Sequence, residues 1–209
     1  MKSFKVFGER HTGTNAISSF LEKNFNLENK YYEYLGWKHR LAPSSEELKK
    51  FNLVDNLFLI TFRNPYSWLK AMHREPYNYN YPQIRELDFL SFLQIPFEDY
   101  ENVIKMWNQK NQSYLNMKSY LPNSIYIKIE SFNKNQEFFF DEVIKKIGDS
   151  SNYNFIEEKR YLSGYSVSNK NVKRSLSMPN LKNEELEVID SYIDKNILKE
   201  IGYSEPNKS

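Results

Sequence analysis

Seven consecutive residues, Asn56 to Phe62, read NLFLITF without a single charge, and this run narrows the choice of folds more than any other feature. A strand with one wet face alternates apolar and polar positions. A near-continuous apolar strand is buried on both faces, as happens in parallel sheets covered by helices. Segments of the two periodicities alternate around it. Phe4 to Gly8 (FKVFG) reads as a short strand, and Ala16 to Phe25 places Ile17, Phe20, Leu21 and Phe25 at helical spacing. A second aromatic run, Tyr31 to Trp37, stops at WKHRLAPSSEEL, where Ser44 or Ser45 ahead of Glu46 and Glu47 predicts a helix start. Asn64-Pro65 opens a helix to about Met72, because proline's missing N–H and fixed φ suit the first helical position.

Further along, Glu75 to Gln83 is rich in Tyr, Pro and Asn without periodicity and predicts a mobile loop. A short helix at Phe89 to Phe92, a long amphipathic helix over Tyr100 to Leu121, a strand at Ser124 to Glu130 and a helix from Phe138 to Ile147 follow. One last helix, Leu181 to Ile201, ends at Gly202. Strands alternating with helices in this order predict an α/β fold, a three-layer sandwich with a central parallel sheet and helices on both faces. The chain of 209 residues reads as a single domain over 1–203 with a flexible tail at 204–209.

Composition removes several classes of function. With 40% hydrophobic and 27% charged residues the chain has enough apolar material to fold, and a net charge of +2 supplies no general footprint for nucleic acid. Any anion site is therefore local. The absence of cysteine excludes disulfides, thiolate metal sites and a cysteine nucleophile. No stretch reaches the ~20 apolar residues of a membrane span, and the N-terminus lacks the apolar core of a signal peptide, so the expected compartment is the cytoplasm.

The candidate site begins at Gly8-Glu9-Arg10-His11-Thr12-Gly13-Thr14-Asn15, between the first predicted strand and the first helix. Exposed backbone N–H groups and the positive end of a helix make such a turn an anion site. Its glycine spacing is that of a Walker A loop, the signature of a P-loop-type fold. Thr14 stands where that motif has its lysine and Asn15 where it has the magnesium-binding hydroxyl, which argues against ATP hydrolysis. Two further segments carry chemistry. Thr61-Phe62-Arg63-Asn64-Pro65 ends the buried strand on an arginine, whose planar fork suits phosphate oxygens. Trp37-Lys38-His39-Arg40-Leu41-Ala42-Pro43 offers a cation beside a histidine suited to general-base work near neutral pH.

Together these segments resemble the sulfotransferase superfamily, whose members use 3′-phosphoadenosine 5′-phosphosulfate as sulfuryl donor. The family's K-S-G-T-T loop is matched by His11-Thr12-Gly13-Thr14-Asn15, with His11 at the lysine position, so that His11 or Arg10 supplies the positive charge to the 5′ side. The family's strand-end Arg, which holds the 3′-phosphate, is matched by Arg63; its partner Ser falls on Ala71, leaving Ser67 one turn earlier as the substitute. The 37–43 segment is similar to the family's K-T-H-L-P, in which Lys assists the leaving phosphate and His removes the acceptor proton. Here Lys38 and His39 are adjacent, and both face one site only if no strand continues through them. A basic run at 169–175, with Lys173 and Arg174, corresponds to the family's late loop over the 3′-phosphate.

The resemblance implies sulfuryl transfer to an acceptor hydroxyl of a small molecule or glycan, with Lys38 and His39 catalytic. Arg10 to Asn15, Arg63, Ser67, Lys173 and Arg174 would hold the nucleotide, without a metal. A carbohydrate acceptor is the first expectation, given the aromatic loop at 75–83. A nucleotide-kinase-type phosphotransferase and a noncatalytic nucleotide-binding module are the alternatives.

Overall fold

The computed structural model describes residues 1–76, 82–148, 153–158 and 176–206, except for the side chains at positions 82 and 85. The elements in chain order are β1 (Ser3–Phe7), α1 (Thr14–Asn24), β2 (Glu28–Asn29), α2 (Ser45–Leu48), β3 (Asn56–Phe62), α3 (Pro65–Arg74), α4 (Phe89–Gln94) and α5 (Val103–Asn116). They continue with β4 (Ser124–Lys128), α6 (Ile129–Lys134), α7 (Gln136–Ile147), α8 (Asn183–Tyr192) and α9 (Lys195–Ile201), with 3₁₀ turns at Pro82–Glu86 and Met117–Ser119. Lys173, Arg174 and positions 77–81 of the expected mobile loop lie outside the described residues. Among the described residues no helix is long and apolar enough to cross a membrane.

The four strands form one sheet in the order β2-β1-β3-β4, every neighbour pair parallel. This is the α/β class that the apolar NLFLITF run predicts. β1 and β3 are buried along their whole length, so the central strands are covered on both faces, whereas β4 at one edge is mostly half-buried. The other edge, β2, is two residues long and carries Glu28, a common way of keeping an open edge from pairing further. Polar residues inside the buried strands are satisfied locally: Ser3 Oγ donates to Asn56 Oδ1 on the neighbouring strand, and Asn56 Nδ2 donates to the Asn52 carbonyl at 2.7 Å.

The chain falls into two compact units, Met1–Phe62 with Ser113–Ser175 and Arg63–Gln112 with Leu176–Ser209. In the first, the sheet carries α1, α6 and α7, whose Phe20, Phe132 and Phe139 rings meet with centroids 5.3–5.4 Å apart. Glu158, 3% exposed, ties the 153–158 segment to α1 by accepting from Ser19 Oγ at 2.5 Å and from Lys23 Nζ. In the second unit α3 binds α8 through Tyr66 Oη to Asp190 Oδ1 at 2.9 Å and Lys70 Nζ to Glu185 Oε1 at 3.1 Å. His73 packs on Phe89 and Phe92 and donates from Nε2 to the Leu87 carbonyl at 2.7 Å.

Helix starts follow the local signals. Ser44 caps α2 in a capping box with Glu47, and Asn64 caps α3 by accepting from Tyr66 N at 3.1 Å, with Pro65 in the first helical position. Three expectations change. The long helix expected over Tyr100–Leu121 runs as α5 from Val103 to Asn116 and tightens into the 3₁₀ turn Met117–Ser119. The strand expected to reach Glu130 stops at Lys128, and α6 begins at Ile129. The single helix expected over 181–201 is broken at Ile193, which is extended at φ −70° and ψ 134°. Asp194 caps α9, and Asn108 bridges the break by donating to the Tyr192 carbonyl at 2.7 Å and accepting from Asp194 N at 3.0 Å.

Candidate functional site

The turn between β1 and α1 is shaped by two glycines that no other residue replaces. A Cβ on Gly8 would stand 2.0 Å from Thr61 Oγ1 and 2.8 Å from Thr12 Oγ1, and one on Gly13, at φ 88°, would stand 2.2 Å from Ile129 Cδ1. The turn is thus pressed onto β3 on one side and onto the β4–α6 junction on the other. Ile129, the first residue of α6, supplies the side chain at Gly13. Thr12 stitches the turn internally: its hydroxyl bonds to the Glu9 carbonyl at 2.6 Å and to Thr61 Oγ1 at 2.7 Å, and its N–H donates to Glu9 O at 3.2 Å. Thr12 therefore holds the turn's shape, and its own N–H is spent on the Glu9 carbonyl. Gly13 occupies the N-cap position of α1 without a side-chain cap, and the first turn of α1 has no acidic residue. His11 sits at φ 63°, a conformation that costs a non-glycine residue about 1–2 kcal/mol and that clusters at functional turns.

The Lys38–His39 segment is bound to this turn through Gly8. The Gly8 N–H donates to the Lys38 carbonyl at 3.0 Å, and the Gly8 carbonyl accepts from His39 Nδ1 at 2.5 Å. Residues 38 and 39 form a turn, so their side chains are not forced to opposite sides: Lys38 Nζ donates to Asn15 Oδ1 on the first turn of α1 while His39 reaches Gly8. A carbonyl partner requires a proton on Nδ1, so that in the neutral form of the ring Nε2 is the basic nitrogen. Burial lowers the Lys38 pKa, with the Glu22 carboxylate acting in the opposite sense. The residues that follow are pinned by Tyr114 Oη to the Arg40 carbonyl at 2.7 Å and by Ser113 Oγ, which accepts from Ala42 N at 3.1 Å.

Within the second unit Arg63 and Ser67 stand together. Both are buried, Arg63 Nε donates to Ser67 Oγ at 3.0 Å, and Ser67 Oγ donates to the Asn64 carbonyl at 3.1 Å. Ala71, at the position where the resemblance expects a serine, is buried.

Two buried charged residues, one in the turn and one in β1, are not among the expected site residues. Glu9 is only 1% exposed, and its Oε1 accepts from Arg10 N at 2.6 Å, so a carboxylate takes one amide of the β1–α1 turn for itself. Lys5, in the middle of β1, is 2% exposed and donates from Nζ to the Tyr31 carbonyl and to the Gly36 carbonyl at 2.8 Å. A lysine between the apolar Phe4 and Val6 of a strand is the one sequence signal for it; nothing in the local sequence marks Glu9 as buried. Among the described residues no three His, Cys, Asp or Glu side chains converge as a metal site would need.

No protein-family model matches this chain, and neither curated proteins nor solved structures give a significant match.

Proposed function

We propose that this chain is a transferase that moves a sulfuryl group from 3′-phosphoadenosine 5′-phosphosulfate to an acceptor hydroxyl, on the turn from Gly8 to Asn15. The observation that carries the reading is the set of three hydrogen bonds that bring a lysine and a histidine to the turn opening α1: Gly8 N–H to the Lys38 carbonyl, the His39 ring to the Gly8 carbonyl, and Lys38 Nζ to Asn15 Oδ1. The amides opening α1 receive the 5′-phosphosulfate oxygens. An acceptor hydroxyl attacks sulfur as its proton passes to His39 Nε2. The new S–O bond forms while the S–O bond to the 5′-phosphate breaks, and the Lys38 ammonium neutralises the charge that gathers on the departing oxygen. Positioning and preorganised positive charge supply most of the rate gain, and no step needs a metal. Glu9 is the opposing charge in the turn, already occupied by the Arg10 amide. The resemblance assigns the 3′-phosphate to Arg63, beside Ser67.

The deciding experiment is thermal unfolding with adenosine 3′,5′-bisphosphate in the absence of magnesium, compared with ATP plus magnesium. At about 100 times Kd the bisphosphate adds ~2.7 kcal/mol. At ~2–4 °C per kcal/mol for a chain of this size, the melting temperature rises by roughly 5–11 °C. Preference for magnesium-ATP would replace this reading with a phosphotransferase, and a flat response to both ligands would remove the nucleotide altogether.

A further inference from the structure

A cavity of about 190 Å³ opens in the first unit, beside Lys38 and lined from β1, α1, β2 and the segment that follows. Lys5, Lys30 and Lys38 lie on its wall, and no acidic residue does. The three cations are not equivalent. Lys30 Nζ is paired with Glu28 Oε2 at 2.6 Å, whereas the Lys5 ammonium contacts two carbonyl oxygens, and Lys38 the amide oxygen of Asn15. Burial pulls the Lys5 pKa down to about 8; Glu33 pulls against that shift and Lys38 adds to it. Two largely desolvated ammonium groups thus share one wall, with Glu33 and Glu22 acting only from outside the lining. Buried charge of one sign is costly until an opposite charge reaches it.

The mouth has a different character. Tyr31 is 64% exposed and Tyr32 71% exposed, and Trp37 is exposed beside them, so large flat rings stand in water around a cationic interior. Flat aromatic faces take the C–H face of a sugar ring, while Ser18 and Asn29 add a hydroxyl and an amide to the wall, groups that pair with sugar hydroxyls. The volume lies below the ~300–1,000 Å³ of sites for drug-sized ligands and suits a single ring.

We propose that this cavity binds one carboxylated pyranose, a uronic-acid unit of a glycan, with its carboxylate on Lys5 and Lys38 and its ring face against the rim tyrosines. Binding stands on the cavity alone; that a hydroxyl of the same ring is the sulfuryl acceptor rests on the function proposed above.

The test is ligand-observed NMR titration of the full chain, without nucleotide, using methyl glucuronide, methyl glucoside and benzoate. The glucuronide is expected to bind at least tenfold more tightly than either of the others. Lys5→Met is expected to erase its advantage over the glucoside. Should Lys5→Met fail to fold, the exposed Tyr32→Ala keeps the test alive and is expected to weaken the glucuronide severalfold. Equal binding of glucuronide and glucoside, preference for benzoate, or a glucuronide affinity unmoved by Tyr32→Ala overturns the proposal. A parallel titration with adenosine 3′,5′-bisphosphate separates the two readings. Glucuronide binding without bisphosphate binding keeps the cavity and removes the transferase, and the reverse removes the cavity's assignment alone.

Discussion

Replacing Gly13 by alanine tests whether the β1–α1 turn is held in shape from behind by Ile129. The new methyl group would arrive 2.2 Å from Ile129 Cδ1 and 2.6 Å from Cγ1, at a backbone φ of 88°. Overpacking of this kind costs ~1–3 kcal/mol. The left-handed conformation adds ~1–2 kcal/mol for a residue with a Cβ, so the expected loss is about 2–5 kcal/mol. Ile129 is buried, and Ile129→Ala alone costs ~2–5 kcal/mol through the cavity it leaves. In the double variant the methyl group introduced at position 13 meets only Cβ of residue 129, at 3.4 Å, an ordinary contact. The overpacking disappears and the conformational cost remains, giving a coupling of ~1–3 kcal/mol in favour of the double variant. Urea unfolding of the four proteins measures it. Losses that add to within ~0.5 kcal/mol would show that the turn does not lean on Ile129, and the account of the turn's shape would fall.

Four further outcomes are expected. His39→Ala leaves bisphosphate affinity nearly unchanged and lowers sulfuryl transfer by roughly 10²–10⁴, read in a donor-depletion assay; full turnover would exclude His39 as the base. Arg63→Ala weakens adenosine 3′,5′-bisphosphate by ~1.5–3 kcal/mol more than adenosine 5′-monophosphate in calorimetry, and equal losses would remove Arg63 from the 3′-phosphate. Lys5, with a folded pKa of about 8 against an ordinary 10.5, binds fewer protons than the unfolded chain between those values, so stability rises with pH there. After discounting for solvent near the ammonium the gain is roughly 1–2 kcal/mol. It reverses above about pH 10, because Tyr126, pushed up to about 12, and Tyr66, also raised, keep their protons longer in the folded state. Urea midpoints across pH 7–11 read this directly, and a flat or falling profile up to pH 10 would refute it. Asn108→Ala removes both bonds across the α8–α9 break and costs about 1–3 kcal/mol in the same unfolding assay; an unchanged midpoint would show that the break stands without it.

Where a structural choice is made by neighbours in the chain, it is legible. The Ser44 capping box, the Asn64-Pro65 helix start and the apolar run of β3 all depend on residues a few positions apart, and all appear as expected. Where a distant residue decides, the local pattern misleads. Alternation in SIYIKIE continues past Lys128, and only the fit of Ile129 against Gly13 gives a reason for the strand to end there. The helical spacing from Leu181 to Ile201 is unbroken in sequence, yet Asn108 satisfies the backbone groups exposed by a break. Asp194 is the available signal, since aspartate is a strong N-cap residue. In the site, the turn and the Lys38–His39 pair are visible as motifs, and the meeting of both at Gly8 is not. Lys5 is signalled by its place inside a strand, whereas burial of Glu9 depends on what surrounds the strand end and cannot be read from position 9.

The sheet order has a consequence for how the protein is made. Because β1, β3 and β4 are parallel neighbours, none of these pairings forms as a hairpin: Ser3 meets Asn56, and Phe58 meets Ser124. Closing loops of that length before any reward slows folding and leaves apolar edges open meanwhile. A chain still emerging during synthesis carries β1 and β3 long before the residues of β4 exist. At ~5–20 residues per second the gap between Phe62 and Lys128 lasts roughly 3–13 seconds. For that interval β3, the most apolar of the four described strands, has an unpaired side, and the β1–α1 turn lacks the Ile129 side chain behind it. The nascent chain should therefore depend on holding chaperones, and fragments ending before Ser124 should aggregate when expressed alone.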